Sequence, residues 1–170
     1  MTKDDSAAWA PPDYLAWLPA FLFETDSIPE RYIGKAWLAV LLGSIALVAL
    51  VHLLAPGAGQ PDIHIRGLLS VLLIVFIGPF LETLLLMLPL FGLNRLLGPG
   101  PAVLGSAALW GIAHSLSAAT WGLIAWWPFL IMSIAFLTWR RAGLVKAFGV
   151  VFAIHALQNG LATFILLMVE

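Results

Sequence analysis

The stretch that decides the fold is GLLSVLLIVFIGPFLETLLLMLPLFGL, residues 67–93. It is long enough to cross a bilayer, which requires about 20 predominantly apolar residues. Glu82 is its only charged residue. An ionisable group inside a span is unfavourable and is a functional candidate whose partner must be sought. This stretch therefore predicts a membrane helix with one carboxylate that has a functional role.

The composition of the whole chain agrees with a membrane protein. Of its 170 residues, 62% are hydrophobic and 10% are charged, whereas a soluble domain carries about a quarter charged residues. The net charge of −1 gives no electrostatic case for binding nucleic acid. Cysteine is absent, which excludes disulfides, thiolate metal sites and cysteine catalysis.

Apolar stretches of roughly spanning length recur along the chain, mostly separated by Pro- and Gly-containing breakers. They are residues 36–55, 67–93, 101–119, 121–139 and 146–169. We therefore predict an all-α fold, a polytopic transmembrane helix bundle of about five spans. Residues 1–35 are predicted to form an N-terminal cytoplasmic or interfacial segment, because its aromatic and proline residues suit the headgroup region, with a disordered leader as the alternative. Residues 36–170 are predicted to form the transmembrane domain.

The basic residues are distributed unequally between the two ends of this bundle. With five spans, one side holds Arg31, Lys35, Arg95, Arg140, Arg141 and Lys146, and the other holds Arg66. Cytoplasmic loops carry an excess of Lys and Arg. We therefore expect the N-terminus in the cytoplasm and Glu170 outside.

Four polar residues inside the predicted spans are candidates for a functional site: Glu82, His114, His155 and Asn159. At 1.5 Å per residue, Glu82 and His155 lie about 13 Å below the cytoplasmic surface, and His114 and Asn159 about 20 Å below it. His155 and Asn159 are four residues apart and share one helical face. One layer of the bilayer thus holds a carboxylate, two imidazoles and a carboxamide, which predicts a shared site. A Glu–His pair that fixes helix register, or an Asn that only bonds a neighbouring helix, are the structural alternatives.

Three segments that contain these residues resemble the motifs of the CPBP family, the CAAX proteases and bacteriocin-processing enzymes, also called ABI. The family's Glu-Glu pair with Arg four residues on resembles residues 78–87, where Glu82 is retained and Thr83 and Met87 stand in place of the second Glu and the Arg. The aromatic–His motif is matched by Trp110 and His114, and the His–Asn motif by His155 and Asn159. The resemblance covers about residues 67–169.

The resemblance implies an intramembrane glutamic endopeptidase, a hydrolase of a bacterial inner membrane whose partners are the lipid bilayer and a protein or peptide substrate. It implies no metal and no cofactor. Peptide hydrolysis needs an activated water and stabilisation of the oxyanion. We expect Glu82 and His114 to activate the water, and His155 and Asn159 to donate hydrogen bonds to the oxyanion. Gly78-Pro79, one turn earlier, either opens room for water and substrate or is a packing kink.

Two other functions remain open at this point. Two histidines and a glutamate can bind zinc with an open fourth position, so a zinc-dependent membrane hydrolase is an enzyme alternative, although no HExxH pair is present. A non-enzymatic immunity or scaffold protein is the other, and Thr83 and Met87 are its best support. His52 and His64 are interpreted as interface or solvated residues.

Overall fold

Every regular element of the described chain is helical. The structure is a computed structural model that describes residues 9–59, 61 and 67–169. Its helices are α1 (Pro29–Leu54), α2 (Gly67–Leu72), a π-helical segment (Leu73–Ile77), α3 (Gly78–Leu97), α4 (Pro99–Ser115), α5 (Trp121–Trp139) and α6 (Leu144–Val169), with 3-10 helices at Asp13–Leu15, Ala20–Phe23 and Arg140–Ala142. The predicted all-α polytopic bundle is confirmed.

Four helical stretches are long and apolar enough to cross a membrane, so the chain is a multi-pass membrane protein. They are Pro29–Leu54, Gly67–Leu97, Trp121–Ala142 and Leu144–Met168. Helix α4 has 17 residues and a length of about 26 Å, somewhat less than the ~30 Å of a hydrocarbon core. It is shorter than the predicted stretch 101–119 because the chain turns at residues 116–120 before α5 begins.

Helix α5 occupies the centre of the bundle. Its second half, residues 129–139, is buried at every position, as expected for a helix that is apolar on all sides and surrounded by others. Helices α1, α4 and α6 pack against it, and α3 packs between α4 and α6. The outer helices turn large apolar side chains outward, which suits a lipid environment.

Two glycines make the reversals that place these helices side by side. Gly98, with φ of 82°, ends α3, and Pro99 then starts α4 at a position where proline is favoured. Gly143, with φ of 122°, separates the end of α5 from α6. Positive φ is readily available to glycine alone.

Contacts between helix ends bring most basic residues to one end of the bundle. The Arg140 guanidinium lies 4.7 Å from the ring centre of Phe91, which joins the ends of α5 and α3. The Tyr32 and Trp139 rings, 5.3 Å apart, join the start of α1 to the end of α5. This basic end is defined by Arg31, Lys35, Arg95, Arg140, Arg141 and Lys146.

The N-terminal segment packs onto the basic end. Leu15, Leu18 and Leu22 are buried, and the Thr138 hydroxyl donates to the carbonyl oxygen of Leu22 at 2.9 Å. Helix α1 begins at Pro29 and runs through the predicted boundary between residues 35 and 36, while the division into two segments stays a prediction. Proline is favoured in the first helical turn, so the polar residues that follow it belong to the helix.

Candidate functional site at the α3–α6 contact

The approach to Glu82 along its helix is irregular. The N–H of Gly78 donates to the carbonyl of Leu73, five residues earlier, at the end of the π-helical segment. The carbonyl of Ile74 is therefore not bonded to Gly78, its α-helical donor. The next N–H in the π register would be that of residue 79, but Pro79 has none. The residue pair singled out in the sequence, Gly78-Pro79, thus leaves the Ile74 carbonyl without a donor from its own helix.

Asn159 supplies the hydrogen bond that this carbonyl lacks. Its side-chain nitrogen Nδ2 donates to the carbonyl oxygen of Ile74 at 3.0 Å. Gly160, the next residue on α6, lies against Val75: a Cβ added there would be 3.6 Å from Cγ1 of that valine. The sequence predicts that Asn159 donates to the oxyanion, whereas the structure shows its amide bonded to the π-helical segment that precedes α3.

Glu82 and His155 face each other across the contact between α3 and α6. Oε2 of Glu82 and Nε2 of His155 are 3.5 Å apart, longer than the 2.7–2.9 Å typical of a charge-assisted hydrogen bond. The His155 side chain is 7% exposed and that of Glu82 is 31% exposed. The carboxylate is therefore held against a buried imidazole and is still reachable from outside.

His114 lies in the same region, within an aromatic cluster. Its Nδ1 is 2.9 Å from the carbonyl oxygen of Trp110, and since a carbonyl only accepts, Nδ1 carries the hydrogen and Nε2 is the ring atom left for another partner. Phe129 contacts both imidazoles, with its ring centre 5.2 Å from that of His114 and 5.5 Å from that of His155. Trp110 stacks on Phe129 at 4.4 Å.

The structure thus brings the predicted residues together in an arrangement different from the expected one. His155, and not His114, is the imidazole that faces the Glu82 carboxylate. Phe129, which contacts both histidines, was missed by the sequence reasoning. It lies within the apolar run of α5, and no feature of that run distinguishes it from its neighbours.

Two polar atoms near this contact are buried without a hydrogen-bond partner: Nδ1 of His155 and Oγ1 of Thr83. Thr83 is 1% exposed and follows Glu82 directly. Buried polar groups in proteins are nearly always paired, so an exception calls for an explanation, of which a catalytic role is one. Thr83 and Met87, where the resembled family has Glu and Arg, leave no charged group beside Glu82 on α3.

The zinc alternative finds no support in the geometry. Among residues 9–59, 61 and 67–169, no three His, Asp or Glu side chains lie close enough to share a metal ion. A tetrahedral zinc site needs at least three protein ligands. Glu82 and His155 supply only two, so these residues do not fit a zinc centre.

His52, one of the two remaining histidines, is not part of this site. His52 lies on the rim of a separate groove of about 420 Å³ between α1 and α6. Ser44 and Gln158 also line that groove, and each has a buried oxygen without a partner. His64 lies outside the described residues.

Comparisons with known proteins add no support to the family resemblance, which rests on the three sequence motifs alone. No family model, no curated protein and no solved structure matches this chain. A function is therefore inferred from the geometry of the Glu82 site and from the three sequence segments that contain its residues.

Proposed function

We propose that this chain is an intramembrane endopeptidase that hydrolyses a peptide bond of a membrane-associated protein or peptide. The observation that carries the proposal is the approach of the Glu82 carboxylate to His155 inside the membrane-spanning part of the bundle. Ionisable side chains inside membrane spans are unfavourable and mark functional sites, so the presence of this Glu–His pair favours a chemical role. The resemblance of residues 78–87, 110–114 and 155–159 to the CPBP motifs points to the same residues.

Glu82 is the proposed general base. Its carboxylate removes a proton from a water molecule, the water oxygen attacks the peptide carbonyl carbon, and the proton passes to the leaving amine nitrogen as the C–N bond breaks. His155 donates from Nε2 to the carboxylate and orients it. The 3.5 Å separation is compatible with this role because catalytic hydrogen bonds are often long before substrate binds.

His114 is the proposed stabiliser of the negative charge that develops on the carbonyl oxygen. The bond from its Nδ1 to the Trp110 carbonyl fixes the ring and leaves Nε2 for the substrate. In its protonated form, Nε2–H donates to the oxyanion. Loss of one such donor typically lowers the rate about 100- to 1,000-fold.

Glu82→Gln is the decisive variant, since it keeps the shape of the side chain and removes the base. We expect peptide termini generated by wild-type protein to disappear from the membrane proteome of cells that carry this variant, as measured by N- and C-terminal peptide mapping. Glu30→Gln, the same change at an exposed residue of α1, should leave those termini intact. Unchanged termini in the Glu82→Gln cells, with equal amounts of protein, would contradict the proposal and leave a non-enzymatic role.

We further propose that the basic end faces the cytoplasm of a bacterial inner membrane. The support is the collection of six Lys and Arg residues at that end, in agreement with the positive-inside rule. Because the chain has no cysteine, single cysteines at exposed Arg141 and Pro56 can be labelled separately. An impermeant reagent added from outside should label Pro56→Cys and not Arg141→Cys; the reverse would overturn this orientation.

A further inference from the structure

We propose that Asn159 is a positioning residue: it supplies to the Ile74 carbonyl the hydrogen bond that Pro79 cannot, and it thereby holds the irregular turn of α3 in the register that sets Glu82 opposite His155. The catalytic consequence rests on the proposed function. The structural part does not, and it assigns Asn159 a role other than donor to the oxyanion.

The backbone hydrogen bonds change register between the π-helical segment and α3. Gly78 donates to Leu73, which shifts the register by one residue. In that register Ile74 would receive its hydrogen from residue 79, and Pro79 has none to give. Inside a membrane no water replaces such a bond, and an unsatisfied backbone group there is strongly unfavourable.

The second step is the position of the Asn159 amide. Nδ2 lies 3.0 Å from the Ile74 oxygen, an ordinary N–H···O distance. Gly160 leaves the side of α6 open toward Val75, so the π-helical segment can pack closely where Asn159 reaches it. A side-chain donor from a neighbouring helix is one of the ways in which membrane helices tolerate proline.

The third step links this bond to the site. Ile74 precedes Pro79 and Glu82 follows it, while their partners Asn159 and His155 lie one turn apart on α6. Helix α6 therefore contacts the π-helical segment before the proline and α3 after it. Without the Asn159 bond, the stretch before Pro79 has one less restraint on its register, and the direction of the Glu82 side chain depends on that register.

The decisive experiment is a double-mutant cycle between Asn159→Ala and Pro79→Ala, because alanine at 79 restores an N–H within reach of the Ile74 carbonyl. In the wild-type background, Asn159→Ala should raise the unfolding equilibrium constant in detergent about 10-fold, the typical effect of leaving a buried acceptor unsatisfied. In the Pro79→Ala background the same substitution should change it less than about 3-fold. Equal effects in both backgrounds would overturn the proposal.

A spectroscopic measurement tests the same bond without Pro79→Ala, which matters if that variant does not fold. Ile74-Val75 is the only Ile-Val step in the sequence and Ile131-Met132 the only Ile-Met step. Carbonyl-¹³C isoleucine combined with ¹⁵N-valine or ¹⁵N-methionine therefore isolates one carbonyl each. Asn159→Ala should shift the Ile74 carbonyl resonance and leave that of Ile131 unchanged.

Gln158→Ala, one residue away on α6 but facing α1, is the matched control and should shift neither resonance. An Ile74 resonance that does not move in Asn159→Ala would contradict the proposal.

Processing activity provides the last readout. If Asn159 positions Glu82, Pro79→Ala restores part of the activity that Asn159→Ala removes. If stability is restored and activity is not, Asn159 acts instead as a hydrogen-bond donor to the oxyanion. Absence of processing by the wild type would instead defeat the proposed function and leave the role of Asn159 at Ile74 intact.

Discussion

Two of the helix contacts that bury polar side chains in this bundle are built in opposite ways. Between α4 and α5 the polar groups are neutral and paired: the Ser133 hydroxyl donates to that of Ser106 at 3.1 Å, and both residues are fully buried. Farther along the same two helices, Gly111 and Gly122 let the backbones of α4 and α5 approach closely. Small residues and hydroxyl pairs are the usual means by which membrane helices associate.

The α3–α6 contact has none of this regularity. It joins an ionisable pair, Glu82 and His155, and it includes a π-helical turn whose carbonyl at Ile74 is bonded from another helix. π-helical turns inside helices are frequent at functional sites. Proteins break local rules mainly where function requires it. We therefore expect the α4–α5 contact to provide stability, whereas the α3–α6 contact contains the candidate site.

Gly122→Ala should produce the largest loss of stability in the protein. A Cβ at residue 122 would overlap the carbonyl oxygen of Gly111 and the Ser115 hydroxyl, and a backbone carbonyl cannot rotate away. We expect the free energy of unfolding to fall by about 3 kcal/mol or more, the upper part of the range for overpacking. Thermal unfolding in detergent measures it.

Gly149→Ala is the matched control, because nothing lies within 4 Å of a Cβ at that position. Residue 149 is inside α6, where alanine is favoured over glycine by about 1 kcal/mol. The control should therefore be neutral or stabilising. Equal losses from both substitutions would mean that the close α4–α5 contact is not a main source of stability.

Replacement of both members of the Glu82–His155 pair should have a smaller and opposite effect. His155→Leu alone leaves a carboxylate without its partner and should lower the free energy of unfolding by about 2 kcal/mol, less than the cost for a fully buried pair because Glu82 is 31% exposed. Glu82→Leu with His155→Leu should be as stable as wild type or more so.

Both variants should lack processing activity. A double variant less stable than wild type would show that the pair is a structural element, and it would remove the distinction between the two helix contacts. Chemical denaturation in mixed micelles, with the slope compared between variants, measures the free energies.

Most of the fold could be predicted because the length of each apolar stretch is read directly from the sequence. The stretches 67–93 and 121–139 stand out from the sequence alone, and both are helices. The start of α1 could not be predicted, since Glu30, Arg31 and Lys35 look like a polar leader. They form the exposed side of the first helical turns because Tyr32 and Ala36 are buried against the bundle. Tertiary packing decides that boundary.

The members of the candidate site could be predicted, but their partners could not. Periodicity places His155 and Asn159 on one face of α6, and depth places Glu82 and His114 near the same layer. Which imidazole faces the carboxylate depends on which helices are neighbours in the bundle. No pattern in the sequence indicates that order. The bond from Asn159 to Ile74 involves a main-chain atom, so no side-chain pattern reveals it.

The Ser106–Ser133 pair should show the smallest effect. Hydrogen bonds between membrane helices average about 0.6 kcal/mol in double-mutant cycles, because each hydroxyl finds another partner when the helices separate. We therefore expect Ser106→Ala and Ser133→Ala each to cost about 1 kcal/mol or less, with a coupling energy near 0.6 kcal/mol. Processing activity should stay at the wild-type level in both, since neither residue belongs to the α3–α6 contact. A coupling above about 2 kcal/mol, or a loss of activity, would show that the two contacts act as one unit.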